Sequence, residues 1–349
     1  MAEDRLDLVV RGAQEVVTRD ELERLLDRGG RPKAYIGYEP SGLMHVGQGV
    51  ITARKILELS RAGFDVTVLL ADWHAMINDK FGGNLEAIQK CGRYFEDCFR
   101  ALGVPESTRY VLASDLVATP GYWMDVLRAS KAASVARIRR ALTIMGRKES
   151  DADLDASKLI YPAMQVVDIH VLDLDLALGG MDQRHAHVLY RDLAPKLKWK
   201  SVVALHTPLI AGLRGGSGRM DTSVEAKMSK SKPDEAILLH ESPDEIARKM
   251  AGAFCPPKET ERNPVVELVE HVVFRTRSTF VVDREPKFGG TVEFRSIGDV
   301  RRAYRVGDLH PKDLKSATAR SLADILAPVR EYFRNHPDNL AATAALVPR

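Results

Sequence analysis

Two short stretches, far apart in the chain, carry groups suited to holding and polarising phosphate. The first is His45-Val-Gly47-Gln48, which follows a Pro40-Ser-Gly turn and stands where apolar residues resume at helical spacing (Val46, Val50, Ile51, Ala53, Ile56). A helix N-terminus offers free amides, a glycine there lets a nucleotide approach the backbone, and His45 adds a donor. The second is Lys227-Met-Ser229-Lys230-Ser231, in a loop rich in Gly and Ser. Two lysines in such a loop suit pyrophosphate as a leaving group. A third set, Tyr161, Gln165 and Asp168, recurs at i, i+4 and i+7, so one helix face carries three hydrogen-bonding groups flanked by Met164, Val166 and Val167. That pattern predicts a polar-lined pocket in an apolar wall; a buried polar network that binds no ligand has the same signature.

These residues need elements to hold them. Residues 33–38 predict a strand, joined by the Pro40-Ser-Gly turn to the helix that His45 opens and Gly63 stops. The run 65–72 is almost continuously apolar, as in a strand buried on both faces. His74 follows its C-terminal end, where open α/β sheets place ligands, and is a candidate for the site wall or for a structural role. A helix over 84–102 and strands over 109–113, 174–178 and 202–210 continue an alternation that implies a parallel sheet with right-handed crossovers. The turn from Gly179 to Gln183 leads into a helix where His185 and His187 lack metal-ligand companions and read as structural. Residues 120–145 predict one long helical stretch, and 128–148 hold seven basic residues and no acidic one, either a solvated face or a surface for phosphates. Capping boxes at Thr18-Arg-Asp-Glu21 and Ser242-Pro-Asp-Glu245 open an N-terminal helix and a second, smaller region. That region predicts a hairpin-like piece at 287–290 and a final helix running from His310-Pro-Lys-Asp313 into the early 330s.

With 349 residues the chain is long enough for a sizeable core and more than one domain. Its formal net charge of +3 does not demand a nucleic-acid partner, so any such surface must be local. Cys91, Cys98 and Cys255 show no CxxC spacing and read as buried thiols in a reducing compartment. No signal peptide or apolar run of membrane length is evident, which predicts a cytoplasmic protein without a membrane partner.

On these residues the sequence closely resembles the tyrosyl-tRNA synthetases of the archaeal and eukaryotic type, a family of class I aminoacyl-tRNA synthetases. The resemblance spans nearly the whole length and rests on the segments beginning at Tyr35 (YIGYEPSG), Tyr161 (YPAMQVVDI), Gly179 (GGMDQR), Lys227 (KMSKS) and His310 (HPKDLK). It implies an α/β fold with a Rossmann-like parallel-sheet catalytic domain over 1–240, including an N-terminal helical region (1–32) and a basic helical insertion (116–156). A smaller, mostly helical anticodon-binding domain would cover 241–349. By similarity, Tyr35 and Asp168 bind the phenolic hydroxyl of substrate tyrosine, and Tyr161, Gln165 and Gln183 its ammonium. His45, Gly47, Gln48, Lys227, Ser229, Lys230 and Ser231 serve ATP. Phe288, His310 and Asp313 match positions that meet the first anticodon base, although Asp313 would equally suit a helix cap. The insertion would form a homodimer contact and approach the tRNA acceptor arm. ATP with Mg²⁺ would enter as co-substrate, with no metal ligand from the protein and no tightly bound cofactor. Gln48 departs from the histidine common at that position; it keeps a donor but carries no positive charge. Tryptophanyl-tRNA synthetase shares the fold and signatures, and a catalytically retired RNA-binding paralogue is the alternative of a different class; the Tyr35/Asp168 pair and the intact lysines weigh against each.

Overall fold

The structure is a computed structural model that describes residues 4–145, 155–215, 228 and 233–347. The first elements, α1 (Arg5–Val10) and the three-residue strand β1 (Glu15–Val17), are too short to leave a periodic signal in the sequence. Thr18 caps α2 (Arg19–Asp27) by accepting from the Glu21 amide, as the capping box requires.

Strand β2 (Lys33–Tyr38) leads through the Pro40 turn into α3 (Val46–Arg61), with His45 at its N-cap. Strand β3 (Asp65–Leu70), α4 (Asp72–Ile77), α5 (Leu85–Ala101), β4 (Arg109–Leu112) and α6 (Ala113–Val117) follow. The sequence reading extended the β3 run to Asp72, but Asp72 begins α4, where its carboxylate accepts from the Trp73 and Ser114 amides.

The stretch 120–145 is not one helix. It divides into α7 (Tyr122–Ala132), α8 (Val135–Ala141) and a 3₁₀ turn (Leu142–Met145). Ala133 is extended, and the Ser134 hydroxyl accepts from the Arg137 amide, so a local cap competes with helix continuation and wins.

Helix α9 (Ala156–Val171) carries the Tyr161/Gln165/Asp168 face, and β5 (Leu176–Gly180), α10 (Arg184–Leu197) and β6 (Val203–Thr207) complete the sheet. Its order is β1-β6-β5-β2-β3-β4, with only the edge strand β1 antiparallel. The chain leaves central β2 for β3 on one side and later returns to β5 on the other. Between β2 and β5 the winding therefore reverses, and open sheets leave a crevice at the carboxyl ends of such strands.

Beyond residue 240 come α11 (Pro243–Gly252), α12 (Pro264–Leu268), a π turn (Val269–Val273) leading to α13 (Phe274–Thr276), and a hairpin of β7 (Phe280–Val282) and β8 (Val292–Phe294). Helices α14 (Ile297–Val306), α15 (Pro311–Ile325), α16 (Ala327–Asn335) and α17 (Asp338–Leu346) follow. The single helix expected from 310 into the early 330s is thus two, α15 and α16, and α17 lies beyond it. Pro328, which has no amide hydrogen to donate, marks the break between α15 and α16, and Pro337 precedes α17. The last two helices pack back on α5, where Tyr332 and Asn339 donate to the two oxygens of Asp97 at 2.9 and 2.7 Å and Phe333 stacks on Tyr94. All three cysteines are buried thiols, as their spacing predicts. No helix among the described residues is long and apolar enough to cross a membrane.

Candidate functional site

At the crevice lies a cleft of about 410 Å³, lined from β2, β3, β5, the α3 entrance and α9. One end is formed by the start of α3. His45, Gly47 and Gln48 all line it. A Cβ on Gly47 would sit 3.2 Å from the His45 ring, so a side chain there would crowd both the histidine and any ligand at the helix N-terminus. Gln48 Oε1 is buried with no hydrogen-bond partner among the described residues.

The chain that follows the lysine signature returns to this helix entrance. The Val46 amide donates to Ile237 O at 2.9 Å and the Leu239 amide to Met44 O at 3.0 Å. Lys227, Ser229, Lys230 and Ser231 lie outside the described residues. Met228, between them, is buried, lines the cleft and donates its amide to Ile210 O at 2.7 Å. The C-terminal region also holds the segment that follows β6. Glu267 Oε2 accepts from the Ala211 amide at 3.0 Å, and the Phe254 amide donates to Leu213 O at 2.7 Å.

Further along the cleft stand Tyr35, Tyr161, Gln165, Asp168 and Gln183, so the fold gathers all five amino-acid candidates into one cavity. Gln165 Nε2 donates to Gln183 Oε1 at 3.1 Å, and Gln183 Nε2 to Ile144 O at 3.3 Å. The Gly179-Gly180 pair makes this possible, because a Cβ on Gly179 would fall 2.8 Å from that of Gln183. Asp168 is fully buried; its Oδ1 accepts from the Tyr122 hydroxyl at 2.7 Å. Its Oδ2 lies 3.1 Å from His74 Nε2, close enough to attract but not aligned as a hydrogen bond, and has no hydrogen-bond partner among the described residues. His74 lines the cleft and stands edge-on to Tyr161. Burial works against a charge on His74, but the carboxylates of Asp168, Glu39 and Asp72 together outweigh it and raise its pKa. Burial first, and then the Asp168 charge, hold the Tyr35 phenol well above its ordinary range, so Tyr35 remains a donor.

Three polar groups at the site escaped the sequence reading. Glu39 lines the cleft and accepts from Tyr161 at 2.7 Å and from Asn78 Nδ2 at 3.1 and 3.0 Å through its two oxygens. It stands inside the YEPSG segment, which was a signal that could have drawn attention to it. Asp182, within GGMDQR, also lines the cleft. Tyr122 had no local signal. Behind Tyr35 stands His187, whose Nδ1 is 3.0 Å from His206 Nε2, while His206 Nδ1 is 2.8 Å from Glu15. His187 therefore belongs to a buried chain of groups, in keeping with a structural role.

The anticodon candidates all lie in the C-terminal region. Arg284, at the base of the hairpin loop, donates to Gly290 O at 3.2 Å and to Asp308 O at 2.7 Å, tying that loop to the approach to α15. Phe288 is 60% exposed with the Lys287 ammonium 4.9 Å from its ring centre. The cap of α15 is His310, whose Nδ1 accepts from the Lys312 amide at 3.2 Å; Asp313 does not have that role.

A family model described as class I tRNA synthetases (W and Y) matches residues 27–327. A tyrosine–tRNA ligase of Aeropyrum pernix is 48% identical over 99% of this chain and 97% of its own, and one of Sulfolobus acidocaldarius is 47% identical over 94% and 93%. Among solved structures, a tyrosyl-tRNA synthetase of Pyrococcus horikoshii complexed with L-tyrosine superposes with a TM-score of 0.91, at 38% identity over 98% of both chains. The chain belongs to the class I tRNA synthetases, and within them to the tyrosine branch.

Proposed function

We propose that the cleft joins L-tyrosine to ATP and then passes the tyrosyl group to tRNA, with the amino acid at the Asp168 end and the phosphates at the entrance of α3. A carboxylate oxygen of tyrosine attacks the α-phosphorus of ATP, the bond from that phosphorus to the bridging oxygen breaks, and pyrophosphate leaves. A hydroxyl of the terminal tRNA adenosine then attacks the tyrosyl carbonyl and releases AMP. Little side-chain proton chemistry is needed; the protein positions the reactants and stabilises the charge that develops. The Gly47 amide at the α3 N-terminus, His45 and Gln48 face the nucleotide, and Lys227 and Lys230 neutralise the leaving pyrophosphate. Mg²⁺ arrives with the phosphates of ATP. Tyr35 and Asp168 read the phenol, while Tyr161, Gln165 and Gln183, with Glu39 behind Tyr161, form the ammonium end.

The observation that carries the tyrosine reading is the buried Asp168 Oδ2, left without a hydrogen bond in the same cleft as Tyr35. A buried acceptor of this kind is costly unless a ligand completes it, and the tyrosine hydroxyl does so where phenylalanine cannot. Pyrophosphate exchange with Mg²⁺–ATP against tyrosine, phenylalanine and tryptophan tests the reading. Tyrosine should support exchange far better than the other two; equal exchange with tryptophan would overturn it.

The same reading includes tRNA contacts at Phe288, His310 and Asp313, and a homodimer through α7 and α8. Trp123, Met124, Leu127 and Val135 are exposed on these two helices, an apolar grouping that a second copy would cover.

A further inference from the structure

The two oxygens of Asp168 are not equivalent. Oδ1 accepts the Tyr122 hydroxyl at 2.7 Å, whereas Oδ2 is buried with no aligned donor among the described residues. Tyr122 is the first residue of α7 and is 1% exposed, packed in the same apolar cluster as Tyr35, Val126 and Val167. It does not line the cleft, so its hydroxyl reaches the site only through Asp168.

We propose that Tyr122 is a positioning residue for amino-acid selection: its hydroxyl occupies Oδ1, fixes the plane of the carboxylate, and leaves Oδ2 as the acceptor for the phenol of the substrate. The terminal torsion of an aspartate is broad and roughly two-fold, so a carboxylate held only by its backbone can present either oxygen at a range of angles. One short charge-assisted bond from a buried, fully packed ring removes that freedom. Burial, and then the Asp168 charge, keep the Tyr122 phenol far above its ordinary pKa, so it stays a donor at any pH at which the protein is folded. Its other acceptor, Met164 O, is 3.4 Å away and competes weakly. The arrangement places two phenols on one carboxylate, one belonging to the protein and one to the substrate.

The inference rests on the reading of Asp168 as the phenol acceptor, so the test separates the two. Tyr122→Phe keeps the packed ring and removes only the hydroxyl; Asp168→Asn alters the acceptor itself. For each, exchange is measured with tyrosine and with phenylalanine, together with the KM for ATP and the melting temperature. In Tyr122→Phe the ratio of tyrosine to phenylalanine kcat/KM should fall about tenfold, chiefly through the KM for tyrosine, with the KM for ATP unchanged. If Asp168→Asn lowers that ratio and Tyr122→Phe does not, Tyr122 has no part in selection and the inference is wrong. An equal fractional loss with both amino acids, accompanied by a lower melting temperature, would show a merely structural role and overturn it as well. If neither variant changes the ratio, the reading of Asp168 itself fails. Should Tyr122→Phe not fold, Tyr122→Met carries the same comparison.

Discussion

The hydroxyl of Tyr161 donates to Glu39 Oε1 at 2.7 Å across 122 residues of sequence. Resemblance assigned Tyr161 to the ammonium of the amino acid, and the bond adds a carboxylate behind it. Asn78 holds both oxygens of Glu39, so the negative charge has a fixed place. A neutral amide at this position would keep the shape and lose the charge. Glu39→Gln should raise the KM for tyrosine in the exchange reaction about tenfold, the size of a hydrogen bond to a charged group, with little change for ATP. An unchanged KM for tyrosine would place the ammonium elsewhere.

Lys230 is expected to act on the leaving pyrophosphate and not on the amino acid, since charge develops there only as the bond to the α-phosphorus breaks. Lys230→Ala should slow single-turnover adenylate formation while the equilibrium affinity for tyrosine stays as it was. Weaker tyrosine binding with an unaltered chemical step would contradict this role.

The buried His187–His206–Glu15 chain makes stability depend on pH. Burial pushes His187 down to about 3, with the neighbouring His206 adding to the effect. Burial also lowers His206, against the pull of Glu15. In the unfolded chain both histidines titrate near their ordinary values, so below about pH 6.5 the unfolded state binds protons that the folded state refuses. Stability should therefore be intact above that point and decline as the pH falls toward 3. Thermal melts across this window should show a shallower decline for His187→Gln than for the unaltered protein. Parallel curves would mean that another group sets the acid limit.

Because His310 caps α15 and Asp313 does not, the proposed base contact of Asp313 can be tested apart from helix capping. His310→Ala should cost about 1 kcal/mol of stability, seen as a lower melting temperature. Asp313→Ala should leave the melting temperature and tyrosine-dependent exchange nearly intact but lower aminoacylation, and the loss should largely vanish with a tRNA already altered at its first anticodon base. A uniform loss on both tRNAs would remove Asp313 from anticodon reading.

The exposed apolar residues of α7 and α8 give the proposed homodimer its own test. Leu127, 65% exposed, becomes buried if a second copy covers this face. Leu127→Glu should shift sedimentation from dimer to monomer at micromolar protein. A dimer that survives the substitution would need a different interface.

Much of the frame was legible in the chain. The apolar run that became β3 and the alternation of strands with helices produce the parallel sheet, because burial on both faces and crossover handedness leave few arrangements. Where spacing and structure differ, a local group decided against periodicity: Ser134 ended a helix that the apolar spacing would have continued, and the break before Pro328 divided another in two. Elements as short as β1 hold too few residues for any period to register.

The sequence alone marked the proposed phosphate end of the cleft, since a turn, a helix start, Gly47 and two closely spaced lysines are local features whose chemistry follows from spacing. It also placed Tyr161, Gln165 and Asp168 on one face, because a helix converts spacing into direction. Only the tertiary structure decided what completes that face. Glu39 meets Tyr161, and Tyr122 meets Asp168 across 46 residues, through hydrogen bonds that exist only when packed elements bring two side chains within about 3 Å. No periodicity encodes such a meeting, because it depends on how α7, α9 and β2 pack and not on where their residues fall in the chain.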